Sequence, residues 1–122
     1  MAWTLVLIAG GVIATLFGVR QVGLVRPKTA RLLLRQRALV VDVRTDAEYR
    51  RGHLPGSINL PLGELREAIA KRAPKKDRVL LVYCASGSRS GAGRRVLREM
   101  GYHQVFNLGG YRRAAHVLRG PA

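Results

Sequence analysis

The chain has 122 residues, which is room for one domain with a core of modest size. Its 22 Lys and Arg against 7 acids give a formal charge of +15, and such a charge attracts nucleic acid, an anionic membrane surface or a small anionic substrate. One cysteine excludes an intramolecular disulfide and a multi-cysteine zinc site. No aromatics interleave with the arginines and no zinc-finger spacing occurs, so nucleic acid is not the expected partner.

The first segment, "AWTLVLIAGGVIATLFGV" from Ala2 to Val19, holds 18 uncharged and mostly apolar residues, and after Arg20 the apolar character runs on to Val25. At about 1.5 Å rise per residue this length fits a hydrocarbon core of about 30 Å, so a transmembrane helix is expected over 1–25. The segment has no basic start and no small-x-small exit, which favours a retained anchor over a cleaved signal. Arg20, Arg26, Lys28, Arg31, Arg35 and Arg37 follow with no acid before Asp42, and the positive-inside rule then puts the soluble part on the cytoplasmic side of a single-pass protein in contact with membrane lipid. Gly10, Ala14 and Gly18 share one helix face and offer a homodimer contact, although ordinary membrane-helix composition accounts for the spacing more simply.

Residues 26–37 read as a basic juxtamembrane linker containing a first helix, since "KTARLLLRQR" carries leucines at amphipathic spacing. "ALVVDV" (Ala38 to Val43) is an apolar run of the kind buried on both faces of a sheet. Thr45 with Glu48 three residues on is a capping box, so "TDAEYRR" is a short helix ending before Gly52. "GHLPGSINLP" reads as a turn and a brief strand, Leu62 to Arg72 as a helix stopped by Pro74, and "RVLLVY" as a second buried strand.

A helix after Cys84 ends at Gly101, as a C′ glycine ends one. "HQVFNL" is a third strand, and "GGYRRAAHVL" supplies a glycine turn and a last helix. Alternation of strands and helices indicates an α/β fold, a small, mostly parallel sheet flanked by helices on both faces. Its ligand site lies beyond the carboxyl ends of the strands, where Cys84 stands.

Directly after Cys84 comes "ASGSRS", rich in small residues. Gly87, Gly91 and Gly93 with Ala85, Ser86, Ser88 and Ser90 let the loop curl so that backbone N–H groups point inward as an anion nest, and Arg89 adds a positive charge. The thiolate is the reactive form of cysteine and is favoured at a helix N-terminus or beside a cation, so this loop points to a reactive thiol over a buried structural one.

"CASGSRS" resembles the active-site loop of the rhodanese (thiosulfate sulfurtransferase) family, Cys-x-x-Gly-x-Arg-Ser, with Cys84, Gly87, Arg89 and Ser90 matching. "VVDVRTDAEYRRGHLPGSINLP" is similar to the family's Asp-x-Arg, Glu-Tyr and Gly-His-x-Pro-Gly signatures, and "LREMGYHQVFNLGGY" to its closing segment, so a rhodanese domain is expected over 28–119. The family often has Trp some residues after the final Gly-Gly. Here Tyr111 follows Gly110 and no later aromatic occurs, which leaves the last helix open. The related dual-specificity phosphatases place Arg six positions after Cys, whereas here Arg89 comes at five, so the shorter loop favours a sulfur atom over a phosphate.

The resemblance implies a sulfurtransferase in which Cys84 attacks a small anionic donor such as thiosulfate and passes sulfur through a persulfide to a thiol or cyanide acceptor. The backbone Ala85–Ser90 stabilises the persulfide, Arg89 attracts the donor and orients the loop, and neither a metal nor an organic cofactor is used. The alternative is a membrane-bound persulfide carrier or binding module with little turnover on thiosulfate. Asp42 and Arg44 read as a pair holding the loops around the site and His53 as a turn histidine, while His103 and His116 carry no signal. Lys71, Arg72, Lys75, Lys76 and Arg78 around Pro74 form a solvated or lipid-facing basic cluster.

Overall fold

A computed structural model describes residues 23–120. Residues 1–22 of the expected membrane anchor, with its Gly10, Ala14 and Gly18 face, lie outside the described residues. Among the residues described, no helix is long and apolar enough to cross a membrane.

The described chain runs α1 (Pro27–Arg35), β1 (Leu39–Asp42), α2 (Asp46–Arg51), β2 (Ile58–Asn59), a 3-10 turn (Leu62–Glu64), α3 (Leu65–Arg72), β3 (Leu80–Cys84), α4 (Ser88–Glu99), β4 (Val105–Gly110) and α5 (Tyr111–Arg119). The four strands form one sheet in the order β2-β1-β3-β4, and every pair is parallel. All five residues of β3 are buried, which is why its sequence is a continuous apolar run, yet its side chains still alternate between two cores. Leu80, Val82 and Cys84 join Leu65, Ile69, Leu97 and Tyr102 beneath α3 and α4. Leu81 and Tyr83 join Ala30, Leu108, Ala114 and Val117 beneath α1 and α5.

The capping box is present: the Thr45 side chain accepts from the Glu48 N–H and the Glu48 carboxylate accepts from the Thr45 N–H. Gly101 follows α4 at φ 100°, a left-handed position in keeping with a C′ glycine. The last helix forms as α5 despite the missing Trp, because Ala114, Ala115 and Val117 bury its inner face.

One boundary differs from the sequence reading. Leu24 and Val25, which it joins to the apolar segment, belong to the domain: Leu24 bridges Asn107 in parallel, and buried Val25 donates its N–H to the Asn107 carbonyl at 2.9 Å. Apolar residues look alike in a bilayer and at a sheet edge, so hydropathy alone does not separate them. Helix α1, read as a first helix at the start of the domain expected over 28–119, packs on the core through Ala30, Leu33 and Leu34.

Candidate active site

Strand β3 ends at Cys84, and the next three residues turn the chain into α4. Gly87 makes this turn at φ 102°, a left-handed conformation that a side chain rarely adopts. The turn brings the Gly87 N–H to 2.9 Å from the Cys84 sulfur, while the thiol donates to Ser90 Oγ at 3.4 Å. The Ser90 hydroxyl in turn donates to the Gly87 carbonyl at 3.0 Å. Cys84 and Ser90 are both fully buried. No side chain caps the start of α4, so the first-turn N–H groups also lie near the sulfur's end of the helix and favour negative charge there.

A glycine bend in β4 closes the other side of the loop. Beyond Val82–Asn107 the register slips by one residue, so that Tyr83 pairs with Gly109 and Cys84 with Gly110. Asn107 stabilises this bulge by accepting the Gly109 N–H on Oδ1 at 2.8 Å. Gly110 then passes so close to the loop that a Cβ there would lie 2.8 Å from the Ala85 carbonyl oxygen, and the Tyr111 N–H donates to that same oxygen at 3.1 Å. The sequence reading has Gly109 and Gly110 as a turn; they are the end of β4, and they hold the cysteine loop.

An open cavity of about 630 Å³ lies over this loop, lined by Ala85, Ser86 and Gly87 on one side and by Leu24, Gly109, Gly110, Tyr111, Arg44, Arg112 and Arg113 on the others. Arg44 is locked in place: its Nη2 donates to Asp42 Oδ2 at 2.7 Å and to the Gly52 carbonyl at 2.8 Å, and its guanidinium lies 4.8 Å from the Tyr111 ring centre. Asn59 holds this corner by donating to the Asp42 and Arg44 carbonyls. The buried Asp42 carboxylate, opposed by burial, pushes the Arg44 guanidinium further above its ordinary pKa, so the cavity wall stays cationic.

Arg89, expected to attract the donor and orient the loop, is gripped by Glu48 through two bonds of 2.6 and 2.9 Å, and it does not line the cavity. The Arg89 guanidinium holds the Glu48 carboxyl down at about 2, against partial burial, and Glu48 raises Arg89 in return. Ser88 likewise lies outside the cavity lining, whereas Asp42 and Arg44, read as a supporting pair, bring one guanidinium into the wall. Arg112 and Arg113 were missed by sequence reasoning; their signal is their place in the first turn after Gly109–Gly110, beside the end of β3. Arg113 spends its guanidinium on the Leu108 and Val25 carbonyls at 2.7 and 2.6 Å. Arg112 is exposed and has no hydrogen-bond or ion-pair partner among the described residues.

His53 sits where a turn histidine should, stacked on Tyr49 at 3.7 Å between ring centres and within 2.9 Å of the Tyr49 carbonyl. Buried Tyr83 accepts the Leu54 N–H and hydrogen-bonds Ser57, and burial pushes its phenol up to about 12, so it is a structural strut that stays neutral. Among the described residues no group of His, Cys, Asp and Glu could hold a metal ion.

A rhodanese-like domain matches residues 27–115, most of the chain. The chain belongs to the rhodanese-like family. With it the chain joins the rhodanese-type sulfurtransferases. It is 44% identical over 70 residues to Escherichia coli thiosulfate sulfurtransferase PspE, a match covering 57% of this chain and 67% of that relative. Its fold is similar to that of a rhodanese with anions from E. coli, with a TM-score of 0.60 and 41% identity over 62% of this chain and 89% of that one. It is also similar to the human single-domain sulfurtransferase TSTD1, with a TM-score of 0.66 and 28% identity over 82% and 98% of the two chains.

The Glu48–Arg89 clamp carries a pH dependence. Glu48 titrates at about 2 in the fold against an ordinary 4.5, so its contribution is fully present above 4.5 and is lost as pH falls toward about 2. The pair is about one-third exposed, with side chains at 34% and 28%, so it is worth about 1 kcal/mol at most. Glu48→Gln keeps the cap acceptor and removes the charge. Urea unfolding should find the variant less stable at neutral pH and the gap closing in acid.

Proposed function

We propose that the chain moves sulfane sulfur from an anionic donor such as thiosulfate to a thiophilic acceptor, cyanide or a thiol, with Cys84 as the covalent carrier. The Cys84 thiolate attacks the outer sulfur of thiosulfate, forming a new S–S bond as the bond to the sulfonate sulfur breaks, and sulfite leaves with the electron pair of that bond. The acceptor then attacks the outer sulfur of the persulfide, the S–S bond breaks, and the thiolate returns. Two half-reactions through one sulfur divide a difficult transfer into easier steps.

The observation that carries this reading is the Gly87 N–H, 2.9 Å from the buried Cys84 sulfur, in a loop whose Ala85, Ser86 and Gly87 line a cavity shared with Arg44, Arg112 and Arg113. A persulfide anion formed there meets a fixed donor and the open first turn of α4. The backbone from Ala85 to Ser90 forms the cradle, Arg44 with Asp42 fixes the wall, and Arg89, held by Glu48, stiffens the loop and contributes its charge from behind. Parallel-line kinetics of thiosulfate and cyanide turnover by the full chain support this; intersecting lines oppose it. Cys84 persulfidation without thiocyanate release favours the carrier reading instead.

Arg112 is the cation of the mouth that no carboxylate or carbonyl occupies among the described residues, and on this reading it draws in the donor. Arg112→Glu is expected to raise KM for thiosulfate roughly tenfold with little change in kcat, and to weaken the salt dependence of kcat/KM. Steady-state kinetics at several ionic strengths check this, and an unchanged KM contradicts it.

The same reading puts the chain at a membrane as a single-pass protein with its sulfurtransferase domain on the cytoplasmic side. Its support is the uncharged stretch Ala2–Val19 and the run of basic residues after it.

A further inference from the structure

On the side of the sheet away from α3 and α4, helix α1 presents two unlike stripes. Ala30 is fully buried, and Leu33 and Leu34 pack with it on the core. Lys28, Arg31, Leu32 and Arg35, at i, i+3, i+4 and i+7, make the opposite stripe. Leu32 is 53% exposed and is the large hydrophobic residue exposed among those described. The stripe borders a shallow groove of about 720 Å³ that Leu34 and Leu118 floor and Arg119 completes.

No acid occurs before Asp42 or after Glu99, so neither α1 nor α5 offers a carboxylate to these cations. The charge on this face is unbalanced, and a leucine stands in its middle. That is the composition of a surface that meets anionic headgroups and presses one apolar side chain between them. In the sequence, seven residues separate Pro27, where α1 begins, from an 18-residue uncharged stretch. A folded acidic protein would need shaped polar partners, and this groove supplies cations, leucines and one glycine.

We propose that the α1–α5 face is a docking surface for an anionic lipid bilayer, with Lys28, Arg31, Arg35 and Arg119 on the headgroups and Leu32 inserted among them. The docked face lies on the described domain and stands whether or not the preceding stretch spans the bilayer. Its test reads position and not catalysis, so it stands or falls separately from the sulfur chemistry.

The experiment uses the full chain with Leu32→Cys in a Cys84→Ser background, labelled with bimane and mixed with phosphatidylcholine vesicles with or without phosphatidylglycerol. Blue-shifted emission and loss of iodide quenching on phosphatidylglycerol vesicles alone are expected, while a label on Ala70→Cys of α3 stays quenched. Combining Lys28→Gln, Arg35→Gln and Arg119→Gln, all at exposed positions, should lower the docked-to-undocked ratio by roughly 100-fold. A label at position 32 that stays quenched on vesicles to which the chain is bound overturns the proposal. So does equal shielding on phosphatidylcholine alone, or shielding by soluble polyglutamate in place of the vesicles.

Discussion

Cys84→Ser will lower thiosulfate-dependent sulfur transfer by about 10⁴-fold or more, the scale of loss when a covalent nucleophile is removed. The fold will survive the change. Serine is nearly isosteric, and its hydroxyl can accept the Gly87 N–H and bond Ser90 as the thiol does now. Only a modest stability cost, about 1 kcal/mol, is expected for this buried exchange. Thermal unfolding separates the two effects: a near-native melting temperature with no thiocyanate release is the predicted pair of results. Activity retained in Cys84→Ser removes the cysteine from the chemistry.

Gly110→Ala is the second large effect, and it acts without touching the sulfur. An added Cβ would stand 2.8 Å from the Ala85 carbonyl oxygen and 3.2 Å from the Ser86 backbone. Both contacts are backbone, so the relief has to come from moving the loop that carries the Gly87 N–H. The strain is expected to cost about 1–3 kcal/mol of stability, and a loop displaced by about 1 Å lowers kcat about 100-fold. Gly63→Ala, where nothing lies within 4 Å of the new Cβ, is the matched control and should be close to wild type. Kinetics with thermal unfolding on both variants test this, and a fully active Gly110→Ala contradicts the close-approach argument.

The parts of this molecule that were legible in the sequence are those set by local spacing. Buried parallel strands read as apolar runs, Thr45 and Glu48 read as a cap, and Cys84, Gly87, Arg89 and Ser90 read as a loop around a sulfur because the loop is contiguous. What spacing does not encode is which distant groups meet. Glu48 reads fully as a capping residue, and nothing local says that its carboxylate also grips Arg89, 41 residues on. That pairing moves the loop's charge off the mouth and leaves Arg44, Arg112 and Arg113 to line it. The bulge after Val82–Asn107, which turns an apparent glycine turn into a strand end against the loop, is likewise a product of pairing between strands. At Leu24 and Val25 the obstacle is different, since hydropathy is the same for a residue entering lipid and one buried beside β4.

The central claim is that sulfur passes through a covalent bond to Cys84. Intact-mass analysis of the full chain after incubation with thiosulfate, before and after addition of cyanide, tests it most directly. The account predicts the gain of one sulfur atom, its localisation to Cys84, its loss on cyanide with release of thiocyanate, and no gain in Cys84→Ser. Turnover of thiosulfate with the mass unchanged, or a gain that persists in Cys84→Ser, contradicts it.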